Sequence, residues 1–314
     1  MTECVKTECP VCGPASRTPV GECHDLPIVR CNVCSLMFVG ECSTVDETEE
    51  FFRTEHVDAE ETTQLHYVSY RSDSLQREAA VVQRLVPDGG RLLDVGTASG
   101  YFLKEFQNAA GWDVEGVEPS AVSTNFARDH FGLNVHRGYL SEQDYVAESF
   151  DVVTSLDAFN CHRTPNEDLA EIFRVLKPGG IFALEVPGQN YRMLTGSGLL
   201  CQLLFGVPLR LNAGVNFYFY TTASLVVMAS RVGFEAVESH PEAMPSHGSL
   251  PARFLKGAYF HATSLLYRMT SGACHYAPKE FLIFRRPATA ATQETSEDTT
   301  SSPPNKYAPL RKVA

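Results

Sequence analysis

The periodicity of the chain changes near residue 75: from there, short apolar runs alternate with segments whose apolar residues recur at helical spacing. Leu75, Ala79, Val82 and Leu85 share one helix face, Ser72 or Asp73 supplies an N-cap, and Pro87-Asp88-Gly89-Gly90 stops the helix. The run 91–95 predicts a first strand, followed by a glycine-rich turn and a helix carrying Phe102, Leu103 and Phe106 that ends at Gly111. A second strand is predicted over 112–118, then a helix ending near Gly132, a third strand around 133–137 and a fourth over 150–156. A helix over 168–176 closes at Lys177-Pro178-Gly179-Gly180, and strands over 181–186 and 280–285 complete the pattern. Apolar strands separated by helices predict an α/β fold, a parallel sheet buried on both faces. Ligands of such sheets bind at the carboxyl ends of the strands.

Upstream, cysteines replace periodic apolar residues. Cys9-Pro10-Val11-Cys12 and Cys31-Asn32-Val33-Cys34 form a C-x2-C-x18-C-x2-C pattern, the spacing of a zinc ribbon. Two residues between paired cysteines let a tight knuckle aim both thiolates at one tetrahedral ion, and four thiolates leave no open position, so the predicted zinc is structural. A segment of roughly 40 residues buries too little apolar surface to fold alone, and the metal supplies the missing stability. Cys4, Cys23 and His24 lie close enough in sequence to replace one ligand.

Composition changes this picture in one respect. The chain has 314 residues, is 44% hydrophobic and 20% charged, and carries a net charge of −12; these values exclude collagen-like, coiled-coil and wholly disordered classes. An acidic balance argues against nucleic acid or an anionic membrane as the main partner. Its distribution is informative: nine carboxylates between 41 and 61 face the single Arg53, leaving 25 basic against 29 acidic residues elsewhere. The acidity therefore marks a connector over 43–74 between a ribbon over 1–42 and an α/β domain over 75–286. Beyond Pro287 the run ATAATQETSEDTTSSPPNK lacks apolar anchors and predicts a disordered tail over 287–314. No basic n-region followed by an apolar h-region opens the chain, and no apolar run is long enough to span a bilayer. The expectation is a cytoplasmic protein whose clustered cysteines bind metal.

Candidate chemistry begins where the first strand ends. In Asp94-Val95-Gly96-Thr97-Ala98-Ser99-Gly100 the glycines permit close backbone approach, and the next helix offers its N-terminal amides to a polar or anionic group. Glu118 ends the second strand, where a carboxylate can take both ribose hydroxyls of an adenosine-bearing cofactor. A dinucleotide fold would carry G-x-G-x-x-G, but Ala98 stands where a middle glycine could be. That residue weakens nothing provided its backbone stays out of left-handed space.

The segment LLDVGTASGYFL resembles motif I of the class I S-adenosylmethionine-dependent methyltransferases, and GVEPS at 116–120, SFDVVTSLDAF at 149–159 and RVLKPGGIFALEVP at 174–187 resemble the segments that follow it. The resemblance implies a Rossmann-like, mostly parallel seven-stranded sheet with an antiparallel last strand, and S-adenosylmethionine as cofactor. It further implies that Asp94 and Gly96 line the methionine end with Ala98 beside the ligand, and that Gly100 shapes the turn. Glu118 would hold the ribose, Leu140 would flank the adenine, and Leu156 and Asp157 would pass the methionine portion. Cys31-Asn32-Val33-Cys34-Ser35-Leu36-Met37-Phe38 resembles the end of the zinc ribbon in a narrower group. That group includes C-methyltransferases of nucleotide-linked deoxysugars, which extend into a further long C-terminal domain, and enzymes of polysaccharide or natural-product clusters.

Methyl transfer from a sulfonium leaves the protein to position, desolvate and, for a hydroxyl acceptor, remove a proton. Ser155-Leu156-Asp157-Ala158 is not the Asn/Asp-Pro-Pro-Tyr/Phe signature of amide or nucleobase N-methylation, and no Pro-Cys pair suggests cytosine C5 chemistry. O- or C-methylation of a small molecule is the expectation. His162, just past the fourth strand, is the candidate base because imidazole titrates near the working range; the alternative is a solvated loop histidine. Relatives often have Glu-His in this loop, and their histidine falls on Cys161 when Asp157 and Pro165 are aligned. The segment from Asn216 to Thr221 resembles the relatives' H-L-x-Y-F-T, with Asn216 in place of a histidine; asparagine cannot act as a base and is left a binding role. Tyr218 and Tyr220 line an acceptor pocket or form one face of packed structure, and Tyr67 and Tyr70 close over the cofactor or pack as a loop. Residues 188–214 and 242–278 read as insertions over the carboxyl edge, where acceptor specificity is built; within them Leu199, Leu200, Leu203, Leu204 and Phe205 suggest an amphipathic lid or a lipid-facing patch. Two rival readings stand beside the enzyme: a non-catalytic cofactor sensor or scaffold whose ribbon binds protein, and a ribbon that guides the enzyme to nucleic acid, which the few basic residues of 1–40 disfavour.

Overall fold

The cysteine-rich N-terminus folds into short strands: β1 (Val5–Lys6), β2 (Arg17–Cys23), β3 (Leu26–Cys31), β4 (Met37–Val39) and β5 (Glu41–Cys42). In this computed structural model the described residues are 5–23, 26–42, 45–54, 61–195, 209–210, 216–243, 250–270 and 274–288. The pairs β2–β3 and β3–β4 are antiparallel. The acidic segment is helical in its described residues. It forms two helices, α1 (Val45–Thr54) and α2 (Glu61–Leu85), so a boundary at residue 74 falls inside a helix. The physical reason is visible in hindsight: no glycine or proline lies between Gly40 and Pro87, and glutamate and glutamine propagate helices well. Tyr67 and Tyr70 lie on α2, with side chains outside the described residues, as is His24.

The remaining elements alternate as the apolar pattern predicts. They are β6 (Gly90–Val95), α3 (Tyr101–Lys104), β7 (Trp112–Glu118), α4 (Ala121–Phe131), β8 (Asn134–Arg137), β9 (Phe150–Leu156), α5 (Pro165–Val175) and β10 (Leu176–Pro187). After them come α6 (Gln189–Thr195), β11 (Leu209–Arg210), β12 (Tyr218–Phe219), α7 (Thr222–Val232), β13 (Glu235–Glu242), α8 (Leu250–Met269) and β14 (Lys279–Arg285). A seven-stranded sheet has the order β13-β14-β10-β9-β6-β7-β8. The five strands from β10 to β8 are parallel, and β14 runs antiparallel to both neighbours. Chain order reverses between β6 and β9, which makes their carboxyl ends the switch point where a ligand crevice opens. The helix after the first turn is shorter than expected, a single turn in α3, yet Phe102, Leu103 and Phe106 are all buried.

Two apolar layers sandwich the sheet. On one face Leu75, Ala79 and Val82 of α2 pack with Leu92, Val152, Ile181 and Ile283. On the other, α5 and α7 pack through Ile172, Val175, Leu225 and Met228 against Leu93, Val153, Phe182 and Phe284. The second layer does not stop at the sheet: Val29, Leu36 and Phe38 of the ribbon belong to the same apolar cluster. Moreover β12 pairs antiparallel with β4 and β11 pairs parallel with β2, giving a five-stranded sheet β11-β2-β3-β4-β12. The ribbon is thus completed by chain from the region between β10 and α7, where the sequence suggests insertions over the carboxyl edge. Of that region, 196–208 and 211–215, with Leu199 to Phe205 among them, fall outside the described residues, as do 289–314 of the expected tail.

Candidate active site and metal centre

The four paired cysteines converge. Their Sγ atoms all lie within 4.8 Å of one another, with Cys9 and Cys34 3.6 Å apart. Both knuckles close in the same way. The Gly13 amide donates to the Cys9 carbonyl at 2.8 Å and the Ser35 amide to the Cys31 carbonyl at 3.0 Å, and both Gly13 and Ser35 have positive φ. Burial, then the neighbouring Cys34 thiol, pushes Cys12 up to about 12. At Cys31 burial is outweighed by the Cys34 and Val33 amides, which bring the thiol down to about 7. Four mutually close sulfurs with amides turned toward them suit a tetrahedral cation and make a poor arrangement for free thiols. Cys4 and the side chain of Cys23, at the end of β2, lie outside the described residues.

At the switch point, strand register sets Asp94 opposite Thr154, and the Thr154 hydroxyl donates to Asp94 Oδ1 at 2.6 Å. Burial pushes the Asp94 carboxyl up to about 6 against that hydrogen bond. The following turn is held by backbone: the Gly96 and Thr97 amides both donate to the Val117 carbonyl. Gly96 has φ +75, and a Cβ there would come within 2.5 Å of the Ala158 Cβ. Ala98 has φ 49, so the condition attached to it in the sequence is not met, and the turn holds an alanine in left-handed space. What holds it there is Glu118: the Ala98 amide donates to Glu118 Oε2 and the Ser120 amide to Oε1, both at 2.9 Å. Burial pushes the Glu118 carboxyl up to about 7, opposed by those two amides. Each oxygen has accepted one hydrogen bond and keeps a second lone pair, which suits a diol. Leu140 is buried in the 3-10 turn Leu140–Glu142 beside β8. Helix α1 docks on this side: the Tyr139 hydroxyl donates to the Glu49 carbonyl at 3.1 Å, and Arg53 pairs with Glu142.

Leu156 ends β9 and Asp157 follows it, at φ 61. Asp157 leads into a cluster the sequence reasoning missed. Lys279 Nζ lies 2.8 Å from Asp157 Oδ2 and 2.7 Å from Glu185 Oε1, and Arg71 contacts Glu185 at 2.5 Å, Asp157 at 3.8 Å and Glu78 at 3.8 Å. Arg71, Glu78 and Glu185 are buried. Arg71 and Lys279 overcome burial and hold Glu185 below the usual carboxylate range, whereas burial and the adjacent Glu185 push Glu78 well above it. Burial and Glu185 thus favour the protonated form of Glu78 beside two cations, Arg71 and Lys279, and the carboxyls of Asp157 and Glu185. The available signal was a charge inside an apolar pattern: Glu185 within IFALEVP and Glu78 on the Leu75–Val82 stripe.

His162 is mostly buried, with Nδ1 3.0 Å from Asp168 Oδ2 in the first turn of α5. Burial pushes the adjacent Cys161 thiol up to about 12. Asn216 is half-buried and accepts from the Asn160 amide, while the Phe217 amide donates to the Asn160 carbonyl at 2.9 Å. Tyr220 is fully buried, its ring 5.6 Å from Phe159, and Tyr218 stacks on it at 5.5 Å. Of the two alternatives for these tyrosines, packed structure describes Tyr220. Tyr218 also borders a polar cavity of about 580 Å³ between the first knuckle and the N-terminus of α5, lined in part by Lys6, Glu8, Arg163 and Arg231. That cavity shares no residue with the Asp94–Glu118 turn.

The sheet order, the antiparallel β14 and the turn between Asp94 and Glu118 are those of the class I S-adenosylmethionine-dependent methyltransferase fold. The chain belongs to the methyltransferase-domain family, whose profile matches residues 67–239. It is 33% identical over 124 residues to a tRNA U34 carboxymethyltransferase of Methylococcus capsulatus, covering 37% of this chain and 38% of that protein. It is also 33% identical over 123 residues to 24-methylenesterol C-methyltransferase 2 of Oryza sativa, covering 36% of this chain and 34% of that protein. The chain thus spans little more than a third of these relatives' length. Among solved structures, Haemonchus contortus phosphoethanolamine N-methyltransferase 2 bound to S-adenosyl-L-methionine aligns with a TM-score of 0.50 at 17% identity, covering 79% of this chain and 62% of that one; this likeness concerns the fold.

Proposed function

We propose that this chain is an S-adenosylmethionine-dependent methyltransferase acting at oxygen or carbon of a small molecule, with a structural zinc ion held by Cys9, Cys12, Cys31 and Cys34. The observation that carries the reading is the Asp94–Gly96–Ala98–Glu118 constellation at the switch point, where a Cβ-free Gly96 backbone and a carboxylate with one open lone pair per oxygen fit an adenosyl cofactor. When bound, that cofactor supplies an electrophilic methyl group. Glu118 takes the ribose hydroxyls, Asp94 and Gly96 line the methionine end, Gly100 starts α3 from left-handed space, Leu140 bounds the adenine side, and Leu156 with Asp157 borders the reacting end. Asp168 orients His162 through Nδ1 and leaves Nε2 to take an acceptor proton. A closed thiolate shell keeps the zinc structural, and reduced thiols suit the cytoplasm.

A small acceptor is supported by the sterol C-methyltransferases among the relatives and by a net charge of −12, which does not reward a polyanion. Two measurements test the reading. Calorimetric titration should detect S-adenosylmethionine binding that Glu118→Ala abolishes; no binding to the wild type overturns the cofactor assignment. With methyl-labelled cofactor and cell extract, label should enter low-molecular-mass material, and incorporation confined to RNA overturns the acceptor class.

A further inference from the structure

Helix α8 is built inside out. Its 20 residues, LPARFLKGAYFHATSLLYRM, present apolar side chains to solvent: Leu250 is 79%, Phe254 80%, Leu255 71% and Met269 75% exposed, and Leu265 and Leu266 are exposed as well. Its inner side carries polar groups. Thr263 and Ser264 are buried, with Ser264 Oγ lacking a hydrogen-bond partner. Tyr259 donates to the Tyr276 carbonyl at 2.7 Å, and Tyr267 donates to the Ser239 carbonyl at 3.2 Å. A surface helix normally does the reverse, and a contiguous apolar face of this kind marks a contact surface.

Charge selects the occupant. The helix contains Arg253, Lys256 and Arg268 and no acidic residue, in a protein of net charge −12, and Arg253 and Arg268 are both exposed. A second copy docked through the same face would have to be related by a two-fold axis, which sets an antiparallel α8 against α8 and brings Arg253 of one copy toward Arg268 of the other. An anionic lipid surface meets both features at once, accepting the apolar face into the acyl boundary and the guanidinium groups at the headgroups. Among the described residues no helix is long and apolar enough to cross a membrane, so α8 would lie along the surface over about 30 Å.

We propose that α8 is a membrane-surface docking helix that binds anionic bilayers through Leu250, Phe254, Leu255, Leu265 and Met269, flanked by Arg253 and Arg268. The helix is joined to the carboxyl edge of the sheet: Tyr259 packs edge-on against Tyr191 of α6, which directly follows β10, at 5.7 Å. Docking would therefore turn the acceptor side of the fold toward the lipid. The proposal does not depend on methyl transfer, and cofactor binding serves as the control for folding.

The test is flotation of the full chain with phosphatidylcholine vesicles prepared with and without phosphatidylglycerol. Binding is expected only with the anionic lipid and should weaken with salt. Phe254→Ser with Leu265→Ser should abolish it, and Arg253→Glu with Arg268→Glu should weaken it by about tenfold or more, while both variants still bind S-adenosylmethionine. Absence of vesicle binding by the wild type, or equal binding by the serine variant, overturns the proposal. So does a dimer in light scattering that the serine substitutions convert to a monomer, since a second copy would then cover this face.

Discussion

Glu118 holds the turn through two backbone amides, and in the proposed function it would also couple that turn to the cofactor. Its carboxyl is pushed up to about 7 from an ordinary 4.5, chiefly by burial. A carboxyl raised in the folded state contributes stability below its unfolded value and loses it as pH rises through the folded value. The cofactor-free protein should therefore lose on the order of 3 kcal/mol from this residue between roughly pH 4.5 and 7. Chemical denaturation on either side of this window checks the slope, which Glu118→Gln should remove. Cofactor affinity should run the opposite way, rising as Glu118 ionises near pH 7, because a carboxylate accepts from two hydroxyls better than a carboxylic acid does; titration calorimetry across that pH should show it in the wild type and not in Glu118→Gln. Ala98 offers a second prediction. An alanine at φ 49 costs about 1–2 kcal/mol relative to a relaxed conformation, part of which a glycine returns as unfolded-state entropy. Ala98→Gly should stabilise the protein by up to about 1 kcal/mol, read from the denaturation midpoint. Asp94, Gly96 and Glu118 were legible because spacing around a strand end is a local property. The left-handed backbone of Ala98 was not, because it is imposed by Glu118 reaching back from the neighbouring strand.

At the scale of elements, the cluster at the carboxyl edge of β9 and β10 and the start of β14 adds ion pairs to the apolar packing that already joins α2 to the sheet. Glu185 on β10 is held ionised by Arg71 on α2 and Lys279 on β14. Removing one partner of such a buried set strands another charge, at a cost of about 3–5 kcal/mol. Lys279→Met and Glu185→Gln should each destabilise the fold by that order in denaturant titrations. Glu78→Gln should cost clearly less than Glu185→Gln, because burial and the adjacent Glu185 push the Glu78 carboxyl well above the usual range and the amide resembles its protonated form. Equal losses at Glu78 and Glu185 would contradict this division of roles. Sequence periodicity located α2 through Leu75, Ala79 and Val82 but began it too late, since over 61–71 the apolar and aromatic Leu65, Tyr67, Val68 and Tyr70 are interspersed with Thr, Gln and Ser, and the polar Ser72 and Asp73 that follow resemble an N-cap.

At the scale of the molecule, ribbon and sheet share one core. Val29, Leu36 and Phe38 pack in the same cluster as Val153 and Phe182, β12 closes the ribbon sheet, and the Arg231 guanidinium and the Asn166 amide donate to the Val11 and Pro10 carbonyls of the first knuckle. Loss of the proposed zinc should then lower the stability of the whole chain: chelation or Cys9→Ser should shift a single thermal transition downward and weaken cofactor binding with it, where a separate ribbon would melt in a transition of its own. Read alone, the sequence determined the strand and helix alternation, the cysteine pairs and the Asp94–Glu118 turn, because each depends on residues close together in the chain and on a fixed period or spacing. The tertiary structure alone decided that residues near 210 and 218 complete the ribbon, that Arg71, Glu78, Asp157, Glu185 and Lys279 meet, and that the apolar face of α8 points outward. Each of those depends on which distant segments become neighbours, and that is settled by packing among elements far apart in the chain, a relation no local period records.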